Sequence, residues 1–79
     1  MSPVPKLKPT EWRVQVRVFG ADGFTIERES GSHIVMSKLG VARPVIVPKY
    51  PAVGIDIIRA NMRTARMSRE RYFNLLAKT

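Results

Sequence analysis

The middle of the chain reads as sheet and its C-terminal part as helix. Phe24-Thr25-Ile26-Glu27-Arg28-Glu29 alternates apolar with polar residues, the period of a half-buried strand, and Ser30-Gly31 is a turn signal. Ser32 to Ser37 resumes the strand pattern around Ile34-Val35-Met36, so the two runs predict a hairpin. Lys38-Leu39-Gly40-Val41-Ala42 forms a second connection, with Gly40 able to take positive φ. Pro44-Val45-Ile46-Val47 is a third strand whose first position suits a proline, which has no N–H to donate. Together these runs predict a three-stranded antiparallel meander. Beyond Pro48 and Pro51 the period becomes helical: Ile55, Ile58, Met62 and Ala65 fall on one stripe, which should cover a face of the sheet. Ser68 can cap a last short helix with Glu70 in its first turn and Tyr72, Phe73 and Leu76 as packing residues.

The N-terminal third is less regular. Pro3, Pro5 and Pro9 fall in residues 1–9 without a period, so this segment reads as a flexible, extended arm ahead of a single domain over residues 10–79. From Glu11 to Ala21 two patterns compete. Trp12, Val14, Val16 and Val18 alternate as on a strand, while Trp12, Val16 and Phe19 share a helix face. Thr10 as N-cap, Glu11 at the positive end and Gly20 or Gly23 near the stop favour helix; the valines favour strand. With helix chosen, the order is α-β-β-β-α plus a short C-terminal helix: an α+β two-layer sandwich of the kind found in double-stranded-RNA-binding domains.

Seventy-nine residues allow one small core and leave no room for a cofactor domain. The chain has no cysteine, which excludes a disulfide framework and any thiolate metal site. The opening Met1-Ser2-Pro3-Val4-Pro5-Lys6 has no long apolar run, and no segment approaches the roughly 20 apolar residues that cross a bilayer. A cytoplasmic protein with no membrane partner is expected.

Charge changes the picture most. The net charge is +8, and it is unevenly spread. Residues 1–30 carry five basic residues against four acids, whereas residues 31–79 carry nine (Lys38, Arg43, Lys49, Arg59, Arg63, Arg66, Arg69, Arg71, Lys78) against Asp56 and Glu70. Such a basic half is the electrostatic footprint of a protein that meets nucleic acid, and an acidic protein partner or anionic lipid accounts for it equally. Arg59, Arg63 and Arg66 have the spacing of one row on the second helix, either a solvated face or a phosphate-binding edge.

Against this background stands one histidine, His33, directly after the Gly31-Ser32 turn. Imidazole both takes and gives a proton near neutral pH, so a histidine beside a phosphate-binding surface is a candidate for general acid–base chemistry. The plainer alternative is a partly exposed strand histidine without chemistry. Both faces of its strand carry apolar residues, so the pattern leaves open which side the ring takes.

Gly23-Phe24 opening the first strand, Arg28, Gly31-Ser32-His33 opening the second, and Val47-Pro48 after the third set a frame that the Ile57-Ile58-Arg59 helix, Met67-Ser68 and Tyr72-Phe73-Asn74-Leu75-Leu76 complete. In these elements, from Thr10 onward, the sequence resembles the HicA (YcfA-like) family of mRNA-interferase toxins. The resemblance implies a double-stranded-RNA-binding-like fold, mRNA cleavage and neutralisation by a HicB-type antitoxin. It implies that His33 is catalytic and that Gly31 stands where a side chain would obstruct the site or the turn, with Ser32 in the same supporting turn. Many family members have a histidine shortly after the Val-Pro element, where this chain has Lys49-Tyr50, so a second imidazole is not available there.

Metal-free RNA cleavage needs a base for the 2′-OH, in-line attack on phosphorus and an acid for the 5′-oxygen. His33 is expected to fill one of these roles, with Lys38, Arg43 or Lys49 stabilising the phosphorane and Arg28, Arg59, Arg63 and Arg66 completing the phosphate-binding set. The six acids show no ligand spacing with His33, so neither a metal nor a small-molecule cofactor is expected. Trp12, Tyr72 and Phe73 read as core and Tyr50 as a candidate for base stacking. Two other functions fit the composition: a non-catalytic RNA-binding module on the same fold, and an adaptor that binds an acidic protein through the arginine row.

Overall fold

A computed structural model describes residues 5–79. The elements follow the order α1 (Trp12–Ala21), β1 (Thr25–Glu29), β2 (His33–Ser37), β3 (Val45–Pro48), α2 (Ile55–Ala65) and α3 (Arg69–Ala77). This is the expected α-β-β-β-α order with a closing helix, and the sheet is the antiparallel meander β1-β2-β3.

The competition over residues 11–21 resolves as helix, with a different cap and a different face from those expected. Glu11, not Thr10, caps α1: its carboxylate accepts from the Arg13 N–H at 3.2 Å. Thr10 is occupied elsewhere. Its backbone forms an antiparallel bridge with Val53, and its hydroxyl accepts from Gln15 Nε2 at 2.8 Å. The buried face of α1 is Gln15, Val18 and Phe19, with Trp12, Val14 and Val16 only partly covered. A glutamine can sit there because Nε2 donates to both Thr10 Oγ1 and the Tyr72 hydroxyl, the latter at 2.9 Å. The helix runs through Gly20 and stops where Gly23 takes φ +106°. The positive φ favours glycine there, whereas a Cβ would meet only the flexible end of the Lys38 side chain, at 3.3 Å from Cε.

Alternation along the strands divides the sheet into two faces. Ile34 and Met36 of β2 and Val45 and Val47 of β3 point into the core, while β1 is exposed along its whole length. Gly40 takes φ +87° in the β2–β3 connection, as its place in the sequence implied. Pro44 lies just ahead of β3 rather than inside it.

Helices cover the core face. Of the predicted stripe, Ile58, Met62 and Ala65 of α2 are buried and Ile55 is partly covered, and Asn61 joins them by donating to the Ile46 carbonyl at 2.9 Å, which ties α2 to β3. Ser68 caps α3 by accepting from the Arg71 N–H. Tyr72 and Leu75 are the buried residues of this helix, and Phe73 and Leu76, expected in the core, are partly covered. Of the arm expected over residues 1–9, residues 1–4 lie outside the described residues. Residues 5–9 have no regular structure, yet Leu7 joins the hydrophobic core and the Pro5 carbonyl accepts from Arg69 Nη2 at 2.7 Å. Among the described residues no helix is long and apolar enough to cross a membrane.

Candidate active site

The helices leave one face of the sheet bare, and the histidine belongs to that face. In antiparallel pairs, residues opposite each other share a face. Arg28 pairs with Val35, which pairs with Ile46, and His33 lies two residues from Val35 on the same side. A slip in register between Ile26 and Arg28 sets this arrangement, since without the bulge Arg28 would present to the other face. Arg28, Ser30, His33, Val35 and Ile46 line a cleft of about 460 Å³. Its floor is aliphatic, and around it stand one imidazole, one guanidinium and one hydroxyl.

The β1–β2 turn fixes the backbone of His33. Ser30 N–H donates to the His33 carbonyl at 2.9 Å, and Ser30 Oγ accepts from the His33 N–H at 3.0 Å and from the Ser32 N–H at 3.3 Å. The ring is oriented by Ser32, whose Oγ lies 2.8 Å from Nδ1. A hydroxyl can donate to a bare Nδ1 or accept from a protonated one, so Ser32 supports either charge state of the ring. Nε2 has no protein partner among the described residues, which leaves it as the nitrogen that can reach a ligand.

The seven cations singled out in the sequence occupy five separate places. Arg28 alone lines the His33 cleft. Lys49 adjoins it through the backbone, its N–H donating to Ser32 O at 2.9 Å, but its ammonium bonds Glu29 at 2.9 Å and stands 5.5 Å from the centre of the Trp12 ring. Lys38 lies at the other end of β2, five residues and roughly 16 Å along the strand, where it contacts Asp22 at 3.5 Å. Arg43 and Arg66 line a small cavity with Thr64, and Arg59 and Arg63 line a groove on the helical side. Lys38, Arg43 and Lys49, expected together around His33, are therefore not brought together: Lys38 and Arg43 line other parts of the surface, Lys49 adjoins the cleft with its ammonium on Glu29, and Arg28 is the cation that lines the cleft.

Two further expectations change. Arg66 does not extend the row of Arg59 and Arg63, because it ends α2 in the left-handed conformation (φ 54°, ψ 41°) and turns off the helix. Gly31 is not required by the turn: its φ is not positive, and a Cβ there would meet no protein atom within 4 Å. Tyr50 is half exposed, Tyr72 buried, and Trp12 and Phe73 partly covered. The sequence reading passed over Val35 and Ile46 as cleft floor. The signal was present in Val45-Ile46-Val47, since three successive apolar residues on a strand put the middle one on the opposite face.

Among the described residues no three acidic or histidine side chains are grouped as ion ligands. Comparison of the chain with protein-family models, curated proteins and solved structures found no match.

Proposed function

We propose that this protein is a metal-independent RNA endonuclease of the HicA type, an mRNA interferase acting in the cytoplasm and restrained by a HicB-type antitoxin. The observation that carries the reading is the placement of His33: exposed on the helix-free sheet face, held by the Ser30–Ser32 turn, and sharing a cleft with Arg28. In this mechanism His33 Nε2 takes the proton of a ribose 2′-OH and the 2′-oxygen attacks the adjacent phosphorus. The P–O5′ bond breaks, leaving a 2′,3′-cyclic phosphate. Water protonates the departing 5′-oxygen, and the hydroxide formed discharges the imidazolium, so the enzyme returns to its starting state. Arg28 neutralises charge on the phosphorane oxygens. The aliphatic floor of Val35 and Ile46 accepts a base or ribose face without drawing water to the reacting atoms.

The test is incubation of purified protein with single-stranded RNA, with and without EDTA, beside His33→Ala. Cleavage that persists in EDTA and falls about 10²–10⁴-fold in the variant supports the assignment. RNA binding without shortened products would make the protein a non-catalytic RNA-binding module, and cleavage by His33→Ala at the wild-type rate would remove His33 from the mechanism.

A further inference from the structure

On the helical side, where α2 turns toward α3, the edges of the core residues Leu7, Met62 and Met67, each less than a tenth exposed, form the apolar floor of a groove of about 280 Å³ rimmed by Arg59, Arg63 and Arg69. No residue of this groove lines the His33 cleft. Among the described residues only Arg13, Lys38, Lys49 and Arg71 form ion pairs with acids of the domain; Arg59, Arg63 and Arg69 share the lack of one with Arg17, Arg28, Arg43 and Arg66, and differ from them in being gathered on one rim. Arg59 and Arg63 stand one turn apart, where like charges repel, and Arg69 adds a third guanidinium to the same rim. Arg69 is already oriented: Nη2 bonds the Pro5 carbonyl at 2.7 Å and the guanidinium lies 5.7 Å from the centre of the Phe73 ring. A guanidinium has five N–H donors, so most of those on Arg69 remain for an incoming acid.

We propose that this groove docks an acidic, amphipathic segment of a partner protein, with carboxylates on the three arginines and an apolar side chain on the Met62–Met67–Leu7 floor. The floor decides between partner classes. A nucleic-acid backbone would satisfy the arginines, but beneath them lie two thioethers and a leucine, with no polar group for a ribose and no exposed aromatic ring for a base. Methionine side chains adapt to varied apolar partners, which suits peptide docking. A second copy of this chain is opposed by its net charge of +8. The inference does not depend on the chemistry of His33.

The experiment titrates the full-length protein with a fluorescein-labelled helical peptide carrying glutamates on one face and leucines on the other, read by anisotropy at physiological salt. Expected are saturable binding, a loss of about tenfold or more in the Arg59→Ser/Arg63→Ser double variant, a similar loss when the peptide leucines become serine, and no change in His33→Ala. Both arginines are exposed, so the double variant should keep its melting temperature. Absence of saturable binding overturns the proposal. Equal competition by polyglutamate would show charge attraction without a site, and displacement by single-stranded RNA from the His33→Ala protein would assign the arginines to nucleic acid.

Discussion

Arg66 is the one non-glycine residue among those described that has positive φ, and replacing it with glycine should stabilise the domain. At φ 54° and ψ 41° its Cβ crowds the following carbonyl, a conformation that costs roughly 1–2 kcal/mol in an L-residue. The turn needs that conformation, because it lets the Met67 N–H reach the Met62 carbonyl at 2.8 Å and closes α2. Glycine removes the crowding and returns about 0.5–1 kcal/mol through its greater freedom in the unfolded chain. The net gain is about 0.5–1 kcal/mol, which in a domain of this size raises Tm by about 2–8 °C. Arg66→Ala is the necessary control, since it deletes the guanidinium and keeps the Cβ; its stability should stay within about 0.5 kcal/mol of wild type. Thermal melts by circular dichroism, at low salt and again at high salt where surface repulsion is screened, separate the two causes. If Ala raises Tm as much as Gly, the gain comes from lowering the charge of a +8 domain and the backbone argument fails.

Arg28→Ala should slow RNA cleavage by about tenfold or more while Lys38→Ala and Arg43→Ala leave it near wild type, measured as kcat on a short single-stranded substrate. Equal losses in all three would mean that only bulk positive charge matters. Gly31→Ala should fold and cleave as wild type, with stability changed by less than about 0.5 kcal/mol, because the added methyl meets open space. Burial raises the pKa of Tyr72 above its ordinary 10.0, opposed by its hydrogen bond with Gln15. Below pH 10 the phenol is neutral in folded and unfolded chains alike; above it the unfolded chain ionises first, so stability falls as pH climbs toward the raised folded value. Urea titrations across that range should show the fall in wild type and a shallower one in Tyr72→Phe. The same substitution leaves Gln15 Nε2 with one partner in place of two, at a cost of about 1 kcal/mol near neutral pH.

What could be read from the sequence was whatever depends on neighbours along the chain. The position of the hairpin, the Gly40 turn, most of the apolar stripe of α2 and the Ser68 cap each follow from a local rule and stand where that rule put them, although β1 is exposed throughout instead of half-buried as its alternation predicted. The exceptions come from distant contacts. Thr10 is held by its bridge to Val53 and Glu11 caps α1 instead, and Gln15 reaches the core because Thr10 and Tyr72 share its amide. The same division runs through the candidate site. Proximity of His33 to the Ser30–Ser32 turn was readable. Its face follows from the burial of Ile34 and Met36 on the other side of β2, while the presence of Arg28 in the cleft and the direction of Lys49 depended on a β1 register that shifts between Ile26 and Arg28 and on an ion pair spanning Glu29 and Lys49. The arginine row failed at Arg66 because the helical period assumed there ends one residue earlier.

Trp12, the only tryptophan, lies with the Arg13 guanidinium 4.5 Å and the Lys49 ammonium 5.5 Å from its ring centre, and its backbone N–H donates to Tyr50 O. Indole emission responds to the electric field across the ring, so the molecule carries its own optical gauge of the Lys49–Glu29 contact. An anion that draws the ammonium away from Glu29 shifts the spectrum without any attached dye, and a stopped-flow trace of that shift would time the arrival of a ligand at the end of the sheet next to Ser32.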